Sequence, residues 1–185
     1  MGGKFLYFAY GSNMLFERIE GRCPFAELIG TASVKGYKLA FHKKSNDGSA
    51  KADIIKCDDE NSIVCGVVYK IGDEHSGKLD GAESYIEGSR KHYNRNDSFE
   101  VVLNDGKKLE TRVYLAWEAS IEKNLLPYKW YWALVMAGAI ENKLPDDYVE
   151  KIRIAEKNLD PEDNRERKKE AEKILATTGY CYLLE

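Results

Sequence analysis

The chain has 185 residues, enough for one domain with an apolar core. With 43% hydrophobic and 32% charged residues, its composition is that of a soluble globular protein rather than a disordered or membrane one. A net charge of −3 leaves no electrostatic footprint for nucleic acid or an anionic membrane.

The first element is the run FLYFAY, Phe5 to Tyr10, short and nearly all apolar, as a buried strand is. Gly11 permits a turn, and Ser12 or Asn13 is placed to cap a helix expected from about Met14 to Glu20, stopping at Gly21 with Pro24 beyond. Strand-like runs follow at ELIGTAS and GYKLAFHK, then a turn-rich loop, SNDGSAK. KADIIKC and SIVCGVVYKI are separated by DDEN, which reads as a hairpin connection. A long polar segment, Gly72 to Asp97, leads to FEVVL and ETRVYLAWEA, with the hairpin signal Asn104-Asp105-Gly106 between them.

From about Leu126 the texture becomes helical. Pro127 suits a first helical position, and YKWYWALVMAGAIENK carries a broad apolar face ending near Asn142. Asp146 or Asp147 begins another helix, and Asp160-Pro161-Glu162-Asp163 has the cap, proline and acids of a third helix start. The run RERKKEAEK after it reads as a solvated face with offsetting charges. Strands first and helices later predict an α+β fold with a mixed, barrel-like sheet and helices packed around it. Residues 1–185 read as one domain, with 160–185 a C-terminal helix and tail of unassigned role.

The four cysteines form no CxxC pair and the three histidines no metal-ligand spacing, so reduced, mostly buried thiols and no metal site are expected. No apolar run reaches the ~20 residues of a membrane span, and MGGKFLYF lacks the order of a secretory leader. The expected location is the cytoplasm.

Two segments carry candidate chemistry. Ser12 follows a strand at a sharp turn, yet YGSNM is not the GxSxG of a hydrolase elbow. Neither GxGxxG nor GxxxxGK[ST] is present, which leaves the turn as a cradle for an anion as small as a carboxylate. In KLDGAESYIEGSRKHYNR, Asp80 and Glu83 are three apart. Local pattern favours a capping box, and the functional alternative has Glu83 entering a pocket as a proton-transfer group. Twelve tyrosines are many for this length; most are expected in packing, with a few converging on a polar ligand.

Together these segments resemble the γ-glutamylcyclotransferases. FLYFAYGSNM carries that family's YGSN loop at Tyr10, Gly11, Ser12 and Asn13, with apolar Met14 next. GYKLAF and AKADI fall where the family has early strands, VCGVVYKI is similar to its VxGVVW/Y strand, and LDGAES to its LDxxEG signature. Tyr93 in KHYNR, Tyr114 in RVYLA, and Tyr128 followed by MAGA and LPDDYVEKI resemble the family's later succession. The likeness spans residues 5–155, with two departures: Ser84 stands where the family usually has glycine, and the interval from Glu83 to Tyr93 is longer.

The resemblance implies a cofactor-independent enzyme that closes a γ-glutamyl group to 5-oxoproline and frees an amine. Glu83 is then the proton shuttle, and Tyr10, Gly11, Ser12, Asn13, Met14, Tyr93, Tyr114 and Tyr128 bind substrate. The implied partner is a small γ-glutamyl compound, with no nucleic acid and no membrane, and a homodimer is left open. Two alternatives stay open: a cyclotransferase for another γ-glutamylated metabolite, and a binding module that captures a small carboxylate without turnover.

Overall fold

A computed structural model describes residues 2–158 and 166–185. Among these residues seven strands and five helices run in the order β1 (Lys4–Ala9), α1 (Phe16–Arg22), β2 (Glu27–Lys35), β3 (Tyr37–Lys44), β4 (Ala50–Lys56), β5 (Ile63–Gly72), α2 (Ser76–Ala82), β6 (Tyr93–Leu103), β7 (Lys108–Ala116), α3 (Lys129–Glu141), α4 (Asp146–Arg153) and α5 (Glu166–Thr177). Five strands close into a barrel in the order β1-β5-β2-β6-β7, and β3 and β4 pair separately. The α+β, barrel-like expectation therefore holds.

Closure depends on β1, which pairs antiparallel with β5 from Lys4↔Gly72 to Ala9↔Val67 and meets β7 in parallel at Tyr7↔Arg112. The barrel thus has no free edge for another chain to extend. The Asn104–Lys107 turn joins β6 to β7 as its sequence predicts, with Gly106 at a φ of 86° that favours glycine. DDEN is not a hairpin: β4 pairs with β3 and β5 lies between β1 and β2, so the turn crosses from one sheet to the other. Strand β6 also begins earlier than FEVVL, at Tyr93 inside the polar segment. Its register shifts between Asn96 and Phe99, which interrupts the apolar alternation on which the sequence reading relies.

The small sheet is fastened to the barrel by a buried polar pair. Asp53 of β4 accepts from the backbone N–H of Ala116 at the end of β7 (2.9 Å), and its other carboxylate oxygen lies 2.8 Å from His42 Nε2.

Helix α3 is the central helix, not an amphipathic one. Every residue from Trp130 to Ala139 is buried, as expected where a helix is covered on all sides. It packs on the turn after β1, on α4 and on α5. Tyr128 is its N-cap, so Pro127 lies just outside it; the Pro127 carbonyl accepts from Asn158 N–H (2.9 Å). Helix α4 starts at Asp146 as expected. The expected helix start at Asp160–Asp163 lies outside the described residues. Cys23 and Cys65 are buried, Cys57 is half-buried and Cys181 is exposed, all as free thiols. Among the described residues no helix is long and apolar enough to cross a membrane.

Candidate active site

The YGSN segment leaves β1 and makes a single tight turn, Ser12–Met14, before α1 begins at Phe16. The helix expected from Met14 is broken at Leu15, which is extended (φ −72°, ψ 120°). Tertiary contacts hold the break: the Met14 carbonyl accepts from the Tyr69 hydroxyl (2.7 Å) and from Asn142 Nδ2 (2.9 Å). The side chains of Ser12 and Asn13 cap no helix; both are drawn into longer-range contacts. Arg18 Nε donates to Ser12 Oγ (3.2 Å), so the hydroxyl is held by a cation, and among the described residues no base is hydrogen-bonded to it.

Asn13 is the hub. Its Oδ1 accepts from Arg22 Nη1 (2.6 Å), while its Nδ2 donates to Glu83 Oε1 (2.7 Å) and to the Tyr7 hydroxyl (3.0 Å). Arg22 Nη1 also stands 3.8 Å from Glu83 Oε1. Because Arg22 fixes which end of the Asn13 amide is oxygen, the NH₂ must face the carboxylate.

Glu83 is presented by the C-terminus of α2. Tyr85 N–H bonds to the Asp80 carbonyl (2.8 Å) and Ser84 N–H to Gly81 (3.1 Å), with Ser84 left-handed at φ 56°. These are the two bonds of a Schellman stop, with Glu83 at the cap position and serine where glycine is favoured. The capping-box reading is therefore corrected. Asp80 lies in the last turn of α2, not before a first turn, and its carboxylate accepts from the Tyr114 hydroxyl (2.7 Å) and Arg95 Nη1 (2.9 Å).

Glu83 lies where two cavities meet. The inner one, about 30 Å³, is lined by Tyr10, Gly11, Ser12, Asn13, Tyr93 and Tyr114, and by Tyr7 and Tyr131. The outer one, about 120 Å³, shares Ser12, Glu83, Tyr93 and Tyr131 and adds a ring of charged residues. A larger groove of about 470 Å³ between β3 and α4 contains none of the expected site residues.

Two expected site residues lie elsewhere. Met14 is fully buried beneath the turn, where its carbonyl braces the loop. Tyr128 lines neither cavity; its hydroxyl donates to the carbonyl of Asp47 (3.3 Å), in the turn between β3 and β4. In compensation, Tyr7 and Tyr131, not singled out before, line the inner cavity.

The five tyrosines there differ in how they use their protons. The Tyr10 hydroxyl donates to the Tyr114 carbonyl, Tyr93 to the Ala52 carbonyl, and Tyr114 to Asp80. Tyr7 and Tyr131 instead accept, from Asn13 Nδ2 and from Ala52 N–H (3.1 Å). Each keeps its own O–H to donate. Burial above all, with the Glu83 carboxylate adding to it, pushes Tyr7 well above its ordinary range. Burial likewise takes Tyr131 up to about 12. Both are neutral donors near pH 7.

A carboxylate with two spare hydroxyl donors beside a strand-end loop is an arrangement chemically able to move a proton and stabilise a developing oxyanion. The AIG2-like family model matches residues 63–152. Human γ-glutamylcyclotransferase is 32% identical over 159 residues, 83% of this chain and 80% of that protein; the mouse protein is 32% identical over 162 residues, 85% and 81%. A solved structure of γ-glutamyl cyclotransferase superposes with a TM-score of 0.77 at 30% identity, covering 92% of this chain and 99% of that one. The chain belongs to the γ-glutamylcyclotransferase family of enzymes.

Proposed function

We propose that the protein is a cytoplasmic γ-glutamylcyclotransferase that converts a γ-glutamyl amino acid to 5-oxoproline and a free amino acid. The observation that carries this reading is the Glu83 carboxylate, held at 2.7 Å by the asparagine of the YGSN loop and facing a cavity walled by tyrosines.

The nucleophile arrives with the substrate. Its α-ammonium gives a proton to Glu83, and the amine attacks its own γ-carbonyl carbon. A ring C–N bond forms and the carbonyl electrons move onto oxygen. Glu83 passes the proton to the leaving nitrogen, the electron pair returns from the oxyanion, and the old amide bond breaks. A second proton leaves the ring nitrogen as it becomes a lactam and is taken up by the released amine.

The protein's part is to position and to move protons. Well-oriented intramolecular reactions reach effective molarities of ~10⁵–10⁸ M, so fixing the glutamyl chain in its ring-closing shape supplies much of the rate. Backbone N–H groups at the start of the Ser12–Met14 turn, around Gly11, suit the substrate α-carboxylate. A Cβ on Gly11 would stand 3.3 Å from both Ala52 Cβ and the Tyr131 hydroxyl, so glycine keeps this approach open. The Tyr7 and Tyr131 hydroxyls supply donors for the oxyanion. Tyr10, Tyr93 and Tyr114, whose protons are spent within the protein, act as walls.

The test is 5-oxoproline release from a panel of γ-glutamyl compounds, followed by mass spectrometry. Glu83→Gln keeps the side-chain shape and removes proton exchange, so turnover is expected to fall by ~10²–10⁴. Undiminished turnover by a folded Glu83→Gln protein would overturn the assignment.

A further inference from the structure

The outer cavity contains an excess of positive charge that the reaction at Glu83 does not use. Its lining includes Arg18, Arg22, Lys43, Lys51 and Arg167 against the carboxylates of Glu83 and Glu170. Arg167 and Glu170 belong to α5, so the charged run RERKKEAEK is not only a solvated face; two of its residues line this cavity.

Two of these cations are already committed. Arg22 is spent on Asn13 and Glu83. Lys51 donates to Asp47 Oδ2 (2.7 Å) and Ser49 Oγ (2.8 Å), and its ammonium lies 4.5 Å from the Trp130 and Tyr131 ring centroids.

Two buried ones are less fully matched: Arg18 spends its Nε on Ser12 Oγ and pairs loosely with Glu170, and Lys43 pairs with no carboxylate among the described residues. Arg18 is 4% exposed, yet its Nη1 has no hydrogen-bond partner; the nearest carboxylate oxygen, on Glu170, is 3.5 Å away. Lys43 is 3% exposed and has no carboxylate within ion-pair distance among the described residues, only the Tyr93 ring at 4.7 Å. Lys43 stands directly opposite Lys51 in the β3–β4 register, a like-charge pair on one face. Such pairs destabilise a sheet, and an uncompensated buried cation costs more. Burial lowers Lys43 from its ordinary value and takes Arg18 to about 9. This costly arrangement makes physical sense when an anion completes it.

We propose that the outer cavity binds the leaving half of the substrate and selects an acidic amino acid there, so that the preferred substrates are γ-glutamyl compounds whose leaving group carries two carboxylates. This rests on the cyclotransferase reading. Every α-amino acid leaving group brings one carboxylate, which one spare cation satisfies; the second, with Arg167 beside it, calls for another. A leaving group with a free ammonium would meet the same field as repulsion.

The experiment measures kcat/KM for γ-glutamyl-glutamate, γ-glutamyl-alanine, γ-glutamyl-lysine and γ-glutamyl-ethylamide on the full chain. A charge-assisted hydrogen bond to a buried cation corresponds to about a tenfold preference or more. The expected order is glutamate over alanine by at least about tenfold, with the lysine and ethylamide compounds lowest. In Lys43→Gln, and in the less buried Arg167→Gln should Lys43→Gln fail to fold, the ratio of glutamate to ethylamide compound shrinks by about tenfold. Equal rates for the glutamate and alanine compounds, or a preference for lysine, would overturn the inference and leave the cyclotransferase reading standing. No turnover of any compound would overturn both.

Discussion

Gly138, in the MAGA segment of α3, is the point at which the central helix touches the site loop. A Cβ added there would lie 2.6 Å from Leu15 N, 2.7 Å from Met14 Cβ and 2.9 Å from the Met14 carbonyl carbon. None of these atoms is the far end of a flexible side chain. Met14 and Leu15 are fully buried, and the Met14 carbonyl is pinned by Tyr69 and Asn142. Restoring ordinary contact at 3.4 Å requires α3 and the loop to part by about 0.8 Å at the nearest atom. Overpacking of this kind costs ~1–3 kcal/mol, and alanine returns up to ~1 kcal/mol of helix propensity. The net expectation for Gly138→Ala is a loss of about 1–2 kcal/mol, read as a lower urea midpoint with an unchanged slope.

The same shift reaches the chemistry, because Asn13 is the neighbour of Met14 and holds Glu83. A misplacement of about 1 Å costs up to ~10²-fold in rate. Gly138→Ala is therefore expected to lose both stability and 5-oxoproline formation. A wild-type midpoint with a rate within twofold of wild type would refute the reasoning. Lost stability with full activity would show that α3, not the loop, gives way.

Two further predictions concern the shell around Glu83. Ser84 sits at φ 56° in the position of the helix stop that favours glycine, so Ser84→Gly is expected to stabilise the fold by about 0.5–1 kcal/mol in urea denaturation; a loss of stability would refute the assignment of the stop. Lys51 has its pKa lowered to about 8 from an ordinary 10.5, chiefly by burial and against the pull of Asp47. Between those values the unfolded chain binds the extra proton, so the stability tied to Lys51 rises with pH across that window. Measured against Lys51→Met, wild type is expected to gain about 1 kcal/mol between pH 7 and pH 9; a flat or falling difference would refute it.

The sequence made parts of this site legible because their residue types are restricted locally. YGSN and LDGAES are short stretches whose resemblance points to Asn13 and Glu83, and the structure brings those two side chains to 2.7 Å. Asn104-Asp105-Gly106 announces its hairpin through backbone chemistry alone. Tyr7 and Tyr131 were not legible, since an aromatic residue in a buried strand or an all-buried helix reads as packing. What distinguishes them is that their oxygens accept from Asn13 and Ala52, a tertiary fact. The position of Tyr128 is hidden in the sequence for the same reason: it is three residues before Tyr131 but caps α3 and lines neither cavity. DDEN misled because strand partners depend on closing the barrel, which no local turn encodes.

Asn13 ties these observations together. Its side chain links the end of β1, through Tyr7, to α1, through Arg22, and to the stop of α2, through Glu83. The amide has two N–H bonds and its oxygen, and all three are used here, so its orientation is set by three elements at once. Serine in that place lacks the reach and the second donor, and aspartate would set like charge against Glu83. The side chain that most constrains the candidate acid/base is therefore the neighbour of Ser12, while Ser12 itself is occupied by Arg18. A turn that at first admitted a nucleophile is, by its contacts, a device for aiming a carboxylate.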